Sequence, residues 1–183
     1  MALYDFPEVV EECLAVMEKV SVRSVEISVN SEAEGFIFWE DSSTTNISPD
    51  FFRKYTAPVI HKWGEMIHKH DKYLIHHACG QIRDLLPLMN KTAIDMVESI
   101  SPPPTGNIDL DEAFTLLDND KGLIGGIEPT FYEQCNMNEL EERVNYLCSM
   151  SKGRKFILAN SDSCPPGVTY EKLKEVGRIV RSL

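Results

Sequence analysis

Five short apolar runs, each followed by an amphipathic stretch, constrain this chain more than any other feature. "GFIFWED", "KYLIHHAC", "AIDMVES", "KGLIGGIEP" and "KFILANSD" recur between residues 35 and 162, each the length of a buried strand. Strands alternating with helices read as parallel βαβ units with right-handed crossovers, which leaves a doubly wound sheet or a barrel. In both architectures the chemistry sits at the carboxyl ends of the strands. Those ends carry Glu40 and Asp41, then His77 and Cys79, then Glu98, then Glu128 after the Gly125–Gly126 pair, then Asp162 and Cys164. One polar residue at a strand end is ordinarily a helix cap; five in succession predict a shared functional face.

The segments between the strands read as helices. In "DFPEVVEECLAVMEKV", Asp5 is placed to cap, Pro7 suits the first turn, Glu8 completes a capping box, and Val9, Val10, Leu14 and Met17 share one face. "SVRSVEISVNSEAEG" fits a strand or a helix equally well. Ser48 and Pro49 open a long helix with Phe52, Tyr55, Val59, Trp63, Met66 and Ile67 on one side. Further helices are expected through Ile82, Leu85, Leu86 and Met89, over "IDLDEAFTLL" with Asp109 as cap, over "MNELEERVNYLCSM" with Leu140, Val144 and Leu147 inward, and over "YEKLKEVGRIVRSL". No linker divides the chain, so residues 1–183 read as one domain.

The chain carries 18 Lys and Arg against 29 Asp and Glu, a formal charge of −11. That balance repels phosphate backbones, and no basic stripe offsets it, so nucleic acid is not an expected partner. No window approaches the roughly 18 consecutive apolar residues of a membrane helix, and the acidic start lacks the pattern of a secretory signal. The five cysteines show no CxxC pair, which fits reduced thiols and a cytoplasmic location. Cys13, Cys135 and Cys148 are expected to be structural, His61, His68 and His70 exposed, and Trp39 and Trp63 in or near the core.

Residues two apart on a strand project from the same face, so the imidazole of His77 and the thiol of Cys79 point together while His76 faces the opposite way. His and Cys are zinc ligands, and a zinc site at this pair needs a third donor, for which Asp162 and Cys164 are the available residues. His76 is expected to be packed between strand and helix.

The run from "EDSSTTNISPDFF" through "HHACG", followed by "ESISPPPTG", "GGIEP" and "ANSDSCPPGVT", resembles the C-terminal part of the uroporphyrinogen decarboxylase superfamily, which includes cobalamin- and corrinoid-linked methyltransferases. The resemblance implies a TIM-barrel-like (β/α) fold of which this chain supplies about five strands, an incomplete or partner-completed barrel, and it turns "SVRSVEISVNSEAEG" toward helix. It implies zinc at His77, Cys79 and Cys164 or Asp162, with a corrinoid or cobalamin as substrate or partner-bound cofactor. Under that reading Glu40, Asp41, Glu98 and Glu128 are candidate catalytic or substrate-binding groups, and Gly125 and Gly126 candidate cofactor contacts. A corrinoid protein, a second copy, or a subunit carrying the N-terminal half-barrel are the implied partners. The family's decarboxylase uses a His in the loop after the last strand, where Asp162 stands here. Decarboxylation in tetrapyrrole metabolism and a non-catalytic assembly module are therefore the alternatives to a methyltransferase-type subunit. Five strands cannot close the family's barrel, so two edges are expected to seek cover from another chain or from the first helix.

Overall fold

The computed structural model describes residues 2–40 and 42–183, so Asp41 lies outside the described residues. The elements run α1 (Ala2–Asp5), α2 (Pro7–Ser28), β1 (Gly35–Trp39), α3 (Pro49–Phe51), α4 (Ala57–His68), β2 (Tyr73–His77), α5 (Leu86–Met89), β3 (Met96–Ile100), α6 (Leu110–Leu116), β4 (Gly122–Ile127), α7 (Pro129–Gln134), α8 (Met137–Met150), β5 (Phe156–Asn160) and α9 (Tyr170–Ser182). All five strands are parallel and lie in the order β1-β2-β3-β4-β5. A doubly wound sheet reverses its strand order at a switch point, whereas successive right-handed crossovers without reversal place every helix on one face. The sheet is therefore part of a TIM-barrel-like wall.

Register fixes which side chains share a face. Phe38, His76, Val97, Leu123 and Phe156 align across the sheet. That row faces the helices, where Leu74, Val97 and Leu123 meet Ile60 and Ile67 of α4, Leu86 and Met89 of α5, Phe114 of α6, and Leu140, Val144 and Leu147 of α8 in one buried cluster. The next row, Trp39, His77, Glu98, Ile124 and Ile157, faces away from the helices. Trp39 is 74% exposed on that face and Ile157 52%. Trp39 is thus not a core aromatic: among the described residues nothing covers this side of β1. Trp63 does reach the core, edge-on to Phe38 at 5.2 Å between ring centres.

Local chemistry sets the helix ends. Phe6, not Asp5, occupies the first cap position of α2, and no side chain caps it. The residue before a proline is disfavoured in the helical region, and Phe6 before Pro7 leaves it at φ −141° and ψ 59° while Asp5 closes α1. α2 takes in the first part of the ambiguous segment, through Ser28, as the resemblance implied, and residues 29–34 lead from it to β1; the helix buries none of its side chains. Ser48 caps α3 by accepting from the Phe51 amide at 3.1 Å. Between α3 and α4 the chain makes a π-helical turn, Phe52–Thr56. Pro58 lies just beyond it; without an N–H it cannot continue the regular ladder, which accounts for a loosened turn at that point. Of the helix expected after β2 only Leu86–Met89 forms; ahead of it Asn107 Oδ1 accepts from the amides of Ile82 and Arg83 at 2.9 and 3.1 Å. Ile82, Leu85, Leu86 and Met89 are buried as expected.

Candidate active site at the carboxyl ends of the strands

His77 closes β2 on the helix-free face. Its register partner on one side is Glu98, which accepts a hydrogen bond from Nδ1, and on the other Trp39, whose indole lies 4.3 Å from the imidazole centre. Three neighbouring strands thus deliver three groups to one row: a carboxylate that fixes the ring tautomer, the imidazole, and an indole tilted by 42° against it. With Nδ1 engaged, Nε2 is the atom left to act. A carboxylate on the far nitrogen is the arrangement that orients and strengthens metal-binding histidines.

His76 points the other way, as alternation requires. It is fully buried, stacked on Phe38 at 4.5 Å and parallel to Phe52 at 6.3 Å. Its Nε2 lies 3.0 Å from Ser42 Oγ and 3.4 Å from Glu40 Oε2. Burial pushes its pKa down, opposed by Glu40, so the ring is held neutral. Glu40 is consequently turned to the helix side of the sheet, away from His77.

Glu128 caps α7: its side chain accepts from the Phe131 amide at 2.6 Å and from the Thr105 hydroxyl. Burial alone would raise its pKa, but the hydrogen bonds from Thr105, Phe131 and Thr130 outweigh it and the net shift is downward. Gly125 and Gly126 take φ of +139° and +103°, and a Cβ on Gly125 would come within 3.1 Å of Ser161 Oγ and 3.2 Å of the Ile100 carbonyl. Their conformations let the strand ends close on one another: Ser161 Oγ accepts from the Gly126 amide at 2.8 Å, and Ser99 Oγ donates to the Ser161 carbonyl. Ser99 itself sits at φ +80° where the β3–β4 register shifts. Bulges of this kind re-aim side chains at the ends of barrel strands, and this one interrupts the regular ladder between Glu98 and Ile100. Ser42, Ser99, Thr105 and Ser161 were not anticipated; short hydroxyl residues in loops carry no periodic signal that separates them from ordinary turn formers.

Cys79 follows β2 two residues after His77 and is half-buried. The loop behind it is pinned where Gly106 passes Gly80, so closely that a Cβ on Gly106 would come within 3.1 Å of the Gly80 carbonyl. Asp162 uses Oδ1 to accept from the Ser163 amide at 2.6 Å. Cys164 is exposed, with its sulfur 3.9 Å from the Pro165 carbonyl. Among the described residues no three His, Cys, Asp or Glu side chains gather as a metal site. His77 is oriented by Glu98, but Cys79, Asp162 and Cys164 do not gather with it into a three-donor metal site.

Among the described residues no strand residue is Lys or Arg, and Arg83 near the mouth is paired to Glu112 at 2.6 Å. Among the described residues no helix is long and apolar enough to cross a membrane.

The family model for uroporphyrinogen decarboxylase (URO-D) matches residues 1–183. No curated protein matches the sequence. Among solved structures, a methyltransferase from Methanosarcina mazei superposes with a TM-score of 0.83 at 15% sequence identity, covering 99% of this chain and 51% of that one. At that identity the likeness is one of fold, and this chain spans about half the length of that neighbour. With the family model matching from end to end and the strand order of a barrel wall, the chain belongs to the uroporphyrinogen decarboxylase family.

Proposed function

We propose that this chain is the C-terminal half of a methyltransferase-type active site, acting on a methyl group carried by a corrinoid. The observation that carries the reading is the Trp39–His77–Glu98 row: one imidazole at the mouth, its tautomer fixed by a carboxylate and its Nε2 left to bind. His77 and Cys79 would hold zinc, with Cys164 or Asp162 as the third donor once the loop after β5 moves inward. Bound zinc would keep an acceptor thiol deprotonated as the attacking thiolate. Glu98 sets which His77 nitrogen carries the proton, Trp39 restricts the ring, and Ile37, Ile124 and Ile157 give the mouth an apolar floor.

A tetrapyrrole decarboxylase acts on a polyanion, and a sheet face without a basic strand residue offers such a substrate little. The remaining strands of the barrel, from another chain or another copy, would cover the unpaired sides of β1 and β5. Metal analysis of protein purified without added zinc tests the reading: about one zinc per chain is expected, lost in His77→Ala. A wild-type chain holding less than about a tenth of an equivalent contradicts it.

A further inference from the structure

The two helices at the flanks of the sheet each carry an exposed apolar stripe with the spacing of a coiled-coil seam. On α2, Val9, Cys13, Val16, Val20 and Ile27 recur at steps of three, four or seven residues, broken by Arg23, and the four aliphatic members are 58–65% exposed. On α9, Tyr170, Leu173, Gly177 and Val180 recur at steps of three and four, and the three larger ones are 43–65% exposed. The chain exposes 10440 Å², about 1,500 Å² more than a folded monomer of 20.8 kDa ordinarily does, and a stable interface covers about 800 Å² per partner.

The charges beside the stripes indicate what covers them. Glu12 stands one position before Cys13, whereas Lys174 and Arg181 stand one position after Leu173 and Val180. None of the three has an ion-pair partner among the described residues. Parallel helices bring the position before a seam residue on one against the position after a seam residue on the other, so the acidic flank of α2 matches the basic flank of α9.

The direction of the helices permits that match. α2 runs alongside the turn into α4 and α4 itself, Glu11 meeting Lys54 and Glu18 meeting Lys62. α9 runs alongside α8, Lys172 reaching the Glu133 carbonyl just ahead of it and Arg178 lying 3.9 Å from Glu141. α4 and α8 each lead back to the start of a strand, so all four helices run against the strands. A two-fold axis along the strands lays α2 of one copy parallel to α9 of the other, twice over.

We propose that two copies of this chain associate through these flanks, Val9 against Leu173, Cys13 against Gly177 and Val16 against Val180 of the second copy, with Glu12 beside Arg181. The inference deepens the reading above by naming a second copy as the cover of the open half-barrel; it rests on the half-barrel of that reading and not on zinc at His77.

Sedimentation equilibrium of the whole chain tests it. A dimer with a dissociation constant below about 0.1 mM is expected. Glu12→Arg and Arg181→Glu should each weaken it about tenfold, because each sets like charges together at both contacts, and the double variant should recover to within about threefold of wild type. A wild-type monomer at about 0.1 mM, or a double variant no tighter than the single ones, would overturn the proposal. Zinc content of the same samples separates the two readings: a dimer without zinc contradicts the assignment of His77 alone, and a zinc-bearing monomer contradicts the association alone.

Discussion

The middle of the sheet and its two flanks are built from similar helices and end differently. α8 buries Leu140, Val144 and Leu147, and α4 buries Ile60, Gly64 and Ile67. α2, at one flank, is longer than either and buries nothing, leaving Val9, Val16, Met17, Val20 and Ile27 exposed. α9, at the other, buries Lys172 and Ile179 and exposes Leu173 and Val180. The strands beneath follow suit: β3 has a neighbour on both sides, β1 and β5 on one. An apolar stripe therefore states that a helix needs a surface to cover it, and only the fold states whether the chain supplies one. Contiguous apolar patches and bare strand edges mark surfaces for association.

The largest contrast is expected from core truncation. Leu147→Ala in α8 should lower the unfolding free energy by about 2–5 kcal/mol in urea titration, while Val20→Ala on α2 should change it by less than about 0.5 kcal/mol. Comparable losses would mean that the flank is covered after all.

A smaller effect separates a structural carboxylate from one at the mouth. Because the Glu128 pKa is depressed in the fold, its stabilising contribution is present above the ordinary carboxylate range and disappears as pH falls through the folded pKa. Glu128→Ala should cost about 1 kcal/mol at neutral pH through loss of the α7 cap, and the gap from wild type should close as the pH is lowered toward 3. A gap that widens in acid would reverse the assigned sign.

The smallest effect on stability belongs to the flank surface. Val16→Lys combined with Val20→Lys should leave the unfolding free energy within about 0.5 kcal/mol yet reduce concentration-dependent association in sedimentation. Unchanged association would remove α2 from the contact surface.

Much of this arrangement is legible in the chain. The five strands, the opposite facing of His76 and His77, and the inward stripe of α8 follow from periods of 2 and 3.6 residues alone. The choice between doubly wound sheet and barrel was not local: it required the strand order. Trp39 illustrates a different limit, since a large aromatic beside a strand end is ordinarily covered, and its exposure arises because nothing among the described residues lies over the helix-free face of β1. Glu40 and Glu128 stood at strand ends as the mouth pattern requires, yet one turns beneath the sheet to His76 and the other caps the next helix. Residue type marks where a carboxylate is, while backbone geometry decides which way it points. Ser99 at φ +80° carried no warning, because serine has no preference that announces a bulge.

His77 is the residue on which the site depends. The Glu98 carboxylate beside Nδ1 requires that His77 in the metal-free chain carry its proton there and leave Nε2 bare, and ¹⁵N spectra of the histidine rings in slightly alkaline solution read this directly. An Nδ1–H tautomer, shifted toward the other form in Glu98→Leu, is the predicted result. An Nε2–H tautomer in the wild-type chain would contradict the assignment of His77 as the oriented ligand of the site.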